Sequence, residues 1–190
     1  MQRKGLARIL MKEMKRFLVL FLAIGFVFAG CQAPVKKVAD IEPTTIVLVR
    51  HAEKADDGTK DPSLDSLGMQ RAVALMQTLA DVQLTGVYST PYKRTNETVE
   101  AIARENNLAV TEYDPGNKEF LSVEVNKNRG GNLLVSGHSN TVPAMVNQLI
   151  GSDRLENLED WQYDFLYIVN IGQDTTFQVL HYGAPSVRPN

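Results

Sequence analysis

Thr45-Ile46-Val47-Leu48-Val49-Arg50-His51-Ala52-Glu53-Lys54 is the stretch on which the fold turns. A β-branched apolar run between Pro43 and a charged cluster reads as a buried strand. An arginine and a histidine at its end need polar partners, because a buried strand does not keep such groups unpaired. The mouth of a parallel sheet, where strand ends open into a crevice, supplies that setting.

Outward from this strand the pattern alternates. Asp65 is placed to cap a helix with Met69, Ala72, Val73, Met76, Leu79 and Ala80 on its apolar face. Gly86 to Ser89 reads as a second strand, and Thr90-Pro91 as the opening of a helix that buries Thr98, Val99, Ile102 and Ala103. Leu108 to Tyr113 is a third strand, Asp114 to Asn117 a turn, and 118–128 a helix. Asn132 to Ser136 is a fourth strand, followed by a helix bearing Val142, Met145, Val146, Leu149 and Ile150 and ending at Gly151. Phe165 to Asn170 and Thr175 to Tyr182 flank Gly172-Gln173-Asp174 as an edge hairpin. The expected fold is a three-layer α/β/α sandwich with a mostly parallel sheet and an antiparallel C-terminal hairpin. Right-handed crossovers then gather Arg50-His51, Tyr92-Lys93-Arg94, Asp114 and Gly137-His138-Ser139 at one edge.

The N-terminus reads differently. The first 16 of the 190 residues hold six Lys or Arg and one acid, and Phe17 to Ala29 are apolar for 13 residues before Gly30-Cys31. A basic head, a short apolar middle and small residues at a boundary form a secretory signal, too short to span a bilayer. Phe28-Ala29-Gly30-Cys31 resembles a bacterial lipoprotein cleavage box, with Phe28 where Leu is commoner. The expected organisation is a signal peptide over 1–30, a tether over 31–43 and a domain over 44–190, exported and anchored through a lipid on Cys31. Cys31 is the only cysteine, so disulfides do not enter. Of 20 Lys+Arg and 22 Asp+Glu, six and one lie in 1–30, which leaves 14 and 21 and a net charge of −7. Such a balance argues against nucleic acid as a partner.

Two arginines, two histidines and a carboxylate at one sheet edge suit a phosphate monoester. Arginine presents planar paired donors to phosphate oxygens, and a helix N-terminus adds positive potential beside Arg94. An unprotonated imidazole attacks phosphorus, and a carboxylic acid protonates the departing alkoxide. Histidine spacing and the lone cysteine argue against a metal centre, and no cofactor is called for. His181 reads as structural, Lys54 and Lys93 as rim charges, and Trp161 and Tyr163 as packing residues.

Leu48 to Lys54 resembles the Arg-His-Gly signature of the histidine phosphatase (phosphoglycerate-mutase-like) superfamily, with Ala52 in place of glycine. Tyr88 to Thr95 is similar to its second arginine motif, and Val135 to Ser139 to its second histidine. The resemblance covers about residues 44–150 and implies a phosphohistidine on His51, with Arg50, Arg94 and His138 clamping the phosphoryl group. It also places the proton donor after the third strand, at Asp114, with Glu112 and Glu119 as neighbours that could substitute. The expected substrate is a phosphorylated small molecule or a phosphoprotein. The alternatives are a phosphoglycerate-type mutase, for which the 23 residues between Asp114 and His138 leave little room for a capping insertion, and a phosphate-ligand binding protein without turnover.

Overall fold

The computed structural model describes residues 42–189. The proposed signal peptide, Cys31 and nearly all of the tether lie outside the described residues. Ten elements follow in chain order: β1 (Thr44–Arg50), α1 (Ser66–Thr78), β2 (Gly86–Ser89), α2 (Lys93–Glu105), β3 (Val110–Glu112), α3 (Phe120–Lys127), β4 (Asn132–Gly137), α4 (Thr141–Ile150), β5 (Phe165–Ile171) and β6 (Thr175–His181). The sheet order is β3-β2-β4-β1-β5-β6. β3, β2, β4 and β1 run parallel, and β5 and β6 close the edge antiparallel. The expected α/β architecture and its terminal hairpin are both present.

Both faces of β1 are covered, as its unbroken apolar run requires. Ile46 and Leu48 pack with Leu133, Val135 and Val169 against Leu121 and Val125 of α3 and Val142 and Val146 of α4. Val47 and Val49 pack on the opposite side with Val87 and Leu134 against Leu75 of α1 and Val99 and Ile102 of α2. Successive residues of one strand thus feed two cores, which is what the alternation of side chains in a strand dictates.

Three expectations, two for helices and one for a strand, change in detail. Asp65 does cap α1, accepting from Gly68 N–H at 2.8 Å. The buried face of α1, however, is Gly68, Arg71, Ala72 and Leu75, and Met69 and Val73 face outward. The turn of the helix is set by Arg71, which reaches inward to pair with Glu53 at 2.7 Å and donates to the carbonyls of Tyr182 and Ala184. Gly68 permits this approach: a Cβ there would collide with the Glu53 carbonyl oxygen. Second, α2 starts at Lys93 rather than at Pro91. Asp61, from a distant loop, accepts the Lys93 N–H at 3.0 Å and so acts as the missing cap. Third, β3 keeps only three residues of the six-residue strand expected, as suits a sheet edge.

Candidate active site

Strand register builds the site. Arg50 of β1 lies opposite Gly137 of β4, Ser89 of β2 opposite Ser136 of β4, and Ser89 also opposite Glu112 of β3. The residues that leave these strands therefore emerge at one level: His51, Thr90, Tyr113 and His138. Backbone hydrogen bonds carry the register past the strand ends, from His51 N–H to Gly137 O and from Tyr113 N–H to Ser89 O, each at 2.9 Å.

His51 is 4% exposed. Its Nδ1 lies 2.8 Å from the Ala52 carbonyl, which can only accept, so Nδ1 carries the proton and Nε2 keeps a lone pair. Burial, with smaller contributions from Arg50, Arg94 and His138, lowers its pKa to about 3. At neutral pH the imidazole is uncharged. Ala52 is itself buried against Leu64 and Ala72, and its N–H donates to Thr98 Oγ1 at 2.9 Å. The alanine in place of glycine fits, since Ala52 is not among the described residues with positive φ.

His138 stands beside it, with ring centroids 5.6 Å apart. Burial first, then Arg94 and Arg50, lowers its pKa to about 4. Its Nε2 meets Thr90 Oγ1 at 3.0 Å, and Thr90 Oγ1 meets Thr95 Oγ1 at 2.9 Å. Gly137 before it is sterically required: a Cβ would press on Thr141, Tyr113 and Val142.

The two guanidinium groups are held without losing their function. Arg50, 4% exposed, uses Nη1 alone to bind the carbonyls of Glu159, Asp160 and Gln162 at 2.8–3.1 Å. Its carbon lies 4.2 Å from the centroid of the Tyr163 ring. Arg94, in the first turn of α2, lies over Tyr92 at 4.6 Å, with Asp61 Oδ1 3.7 Å from its Nη1. The Nε atoms of Arg50 and Arg94 are both buried with no hydrogen-bond partner. A buried donor left unsatisfied costs about 1–3 kcal/mol, more on a charged group, so each of these atoms offers a free donor to an anion. A cavity of about 410 Å³ is lined by Arg94 and His138, together with Tyr92, Gly116 and Thr141.

The structure thus brings together Arg50, His51, Arg94 and His138. The three carboxylates at the third strand are less engaged. Asp114 is exposed and accepts the Gly116 N–H at 2.8 Å. Glu112 is exposed and receives a long contact from Asn96 Nδ2 at 3.4 Å, and Glu119 is exposed ahead of α3. Pro115 and Gly116 line the cavity over His138, so the loop after β3 borders the site.

Sequence reasoning missed several groups. Tyr163, expected only to pack, sits with its ring 6.0 Å from His51 and under Arg50. Asp61 and the carbonyls of 159–162 had no local signal, because each is recruited across the fold. The Thr90–Thr95 pair lay within the quoted motif and was passed over. His181 pairs with Asp164 at 3.1 Å on the last strand.

Comparison with known proteins agrees with this arrangement. The histidine phosphatase superfamily (branch 1) matches residues 46–120. Phosphoserine phosphatase 1 of Hydrogenobacter thermophilus is 39% identical over 75 residues, 36% of this chain and 36% of that protein. The aligned part is therefore about a third of that relative's length. Among solved structures, a mycobacterial glucosyl-3-phosphoglycerate phosphatase superposes with a TM-score of 0.59 at 13% identity, covering 75% of this chain and 99% of its own. The protein histidine phosphatase SixA, complexed with tungstate, gives 0.59 at 19% identity, covering 72% and 96%. At these identities the structures speak to the fold. The segment similar to the histidine phosphatase superfamily, residues 46–120, carries Arg50, His51 and Arg94.

Proposed function

We propose that this protein is a phosphatase that hydrolyses phosphate monoesters, or phosphorylated protein side chains, through a phosphohistidine on His51. The observation that carries the reading is the pairing of an unprotonated, buried imidazole with two buried guanidinium Nε atoms that lack partners. Nε2 of His51 attacks phosphorus and forms a P–N bond while the ester P–O bond breaks. Arg50, Arg94 and His138 bind the equatorial oxygens, and their positions are set before substrate arrives. The departing alkoxide takes a proton from a carboxylic acid of the loop that follows β3. Asp114 is the first choice by its place in the chain, and Glu112 and Glu119 are the alternatives. Water then attacks phosphorus and gives a proton to that carboxylate, which restores the acid, while the P–N bond breaks, His51 returns to neutral and phosphate leaves.

His51 needs no base to deprotonate it, because burial already holds it neutral. The domain is further proposed to act outside the cytoplasm, tethered by a lipid on Cys31. The basic and apolar segments that precede Cys31 support that placement. Among the described residues no helix is long and apolar enough to cross a membrane.

The test is hydrolysis of p-nitrophenyl phosphate in EDTA by the domain and by its His51→Ala variant. Turnover by the first and none by the second is expected, with acid-labile, base-stable phosphate trapped on the unmodified domain. Undiminished turnover by the variant would refute His51 as nucleophile.

A further inference from the structure

A second cavity, of about 790 Å³, adjoins the phosphate site and has no part in the chemistry above. Its walls are mostly apolar: Leu67 of α1, Trp161, Tyr163, and Pro185, Val187 and Pro189 of the C-terminal segment. Leu67 is 59% exposed and Val187 80% exposed, so large apolar groups stand uncovered around it. Tyr163 joins the two spaces, since it lines this cavity while its ring lies 6.0 Å from His51.

The charges in the cavity are equally informative. Among its lining residues the one cation is Arg71, whose charge is paired with Glu53 and four of whose five N–H donors are committed. Its Nε and Nη2 hold Glu53, and its Nη1 holds the carbonyls of Tyr182 and Ala184. Asp160 adds a negative charge to the wall. A carboxylate or a second phosphate on the substrate would therefore meet only a cation already neutralised by Glu53, and would be repelled by Asp160. An aryl or alkyl body would instead cover Leu67, Trp161 and Val187.

We infer that this cavity is the leaving-group subsite, and that the substrates are phosphomonoesters of apolar, uncharged bodies, aryl or alkyl, rather than of sugar acids or bisphosphates. The inference rests on the phosphatase reading for its name, but it is testable without turnover.

Binding of benzylphosphonate and methylphosphonate to the full domain, followed by calorimetry, separates the two. Trp161 is the only tryptophan in the chain and reports occupancy of the cavity through its emission. Benzylphosphonate is expected to bind about tenfold tighter than methylphosphonate and to shift that emission, which methylphosphonate leaves unchanged. The double variant Leu67→Gln, Val187→Ser, at two exposed positions, is expected to lose most of that margin while binding methylphosphonate as before. Equal affinities in the unmodified domain, or a margin that survives in the variant, would overturn the proposal. So would an emission shift with methylphosphonate alone. Tight, emission-shifting benzylphosphonate binding by a protein that hydrolyses no ester would uphold the cavity and refute the phosphatase reading. With activity in hand, phenyl phosphate against a phosphotyrosine peptide tells a free small molecule from a side chain as the source of the ring.

Discussion

Acid should unfold this domain in part through His51. The pKa of His51 is about 3 in the folded chain, against 6.5 for an unrestrained histidine, and burial is the main cause. The unfolded chain therefore binds a proton that the folded chain refuses. The stability linked to His51 is complete above pH 6.5 and is lost as pH falls from there toward 3. At pH 5 the loss amounts to about 2 kcal/mol, a large part of what holds a domain of this size. The perturbation is His51→Asn, which removes the titrating group and retains a polar side chain. Urea unfolding of both proteins at pH 7.5 and pH 5.0 measures it, because effects common to the two cancel. Between those pH values the unmodified domain should lose about 2 kcal/mol more than the variant. The added acid sensitivity should shrink when inorganic phosphate is present, since an anion between Arg50 and Arg94 offsets the charge that protonation adds. Parallel losses in the two proteins would show that His51 is not held neutral by its surroundings, and the account of its reactivity would fall with that.

Two further results follow from how α1 seats itself. Leu75 is 0% exposed and Val73 45%, so Leu75→Ala should cost about 2–5 kcal/mol while Val73→Lys stays within about 0.5 kcal/mol by urea unfolding. A large loss from Val73→Lys would restore the face expected from periodicity. Arg71→Ala leaves the Glu53 carboxylate without its partner and frees the carbonyls of Tyr182 and Ala184, so it should destabilise by about 3–5 kcal/mol, checked by the same measurement. The Arg71→Met variant, which keeps the stem but not the fork, should be nearly as unstable if the ion pair and not packing is what matters.

The alternation of strands and helices was legible because both periods are local, and β1 announced a doubly covered strand by having no polar face. His51, Arg50, Arg94 and His138 were legible for a related reason. Each ends a strand, follows directly on one or lies in the first turn of a helix, so topology alone brings them to one edge. The buried face of α1 was not legible. Periodicity ranks residues by apolarity, whereas the helix turned to satisfy Arg71 and Glu53, whose pairing no window of neighbouring residues contains.

By itself the sequence determined the layers, the strand ends and the identities of four residues that meet at the candidate site, since these depend on chain order and short-range pattern. Only the tertiary structure decided which nitrogen of His51 is free and which guanidinium atoms lack partners. It alone brought Tyr163 and the carbonyls of 159–162, more than a hundred residues along the chain, under Arg50. Those outcomes depend on desolvation and on hydrogen bonds between distant segments, and both come into being only when the chain has closed on itself.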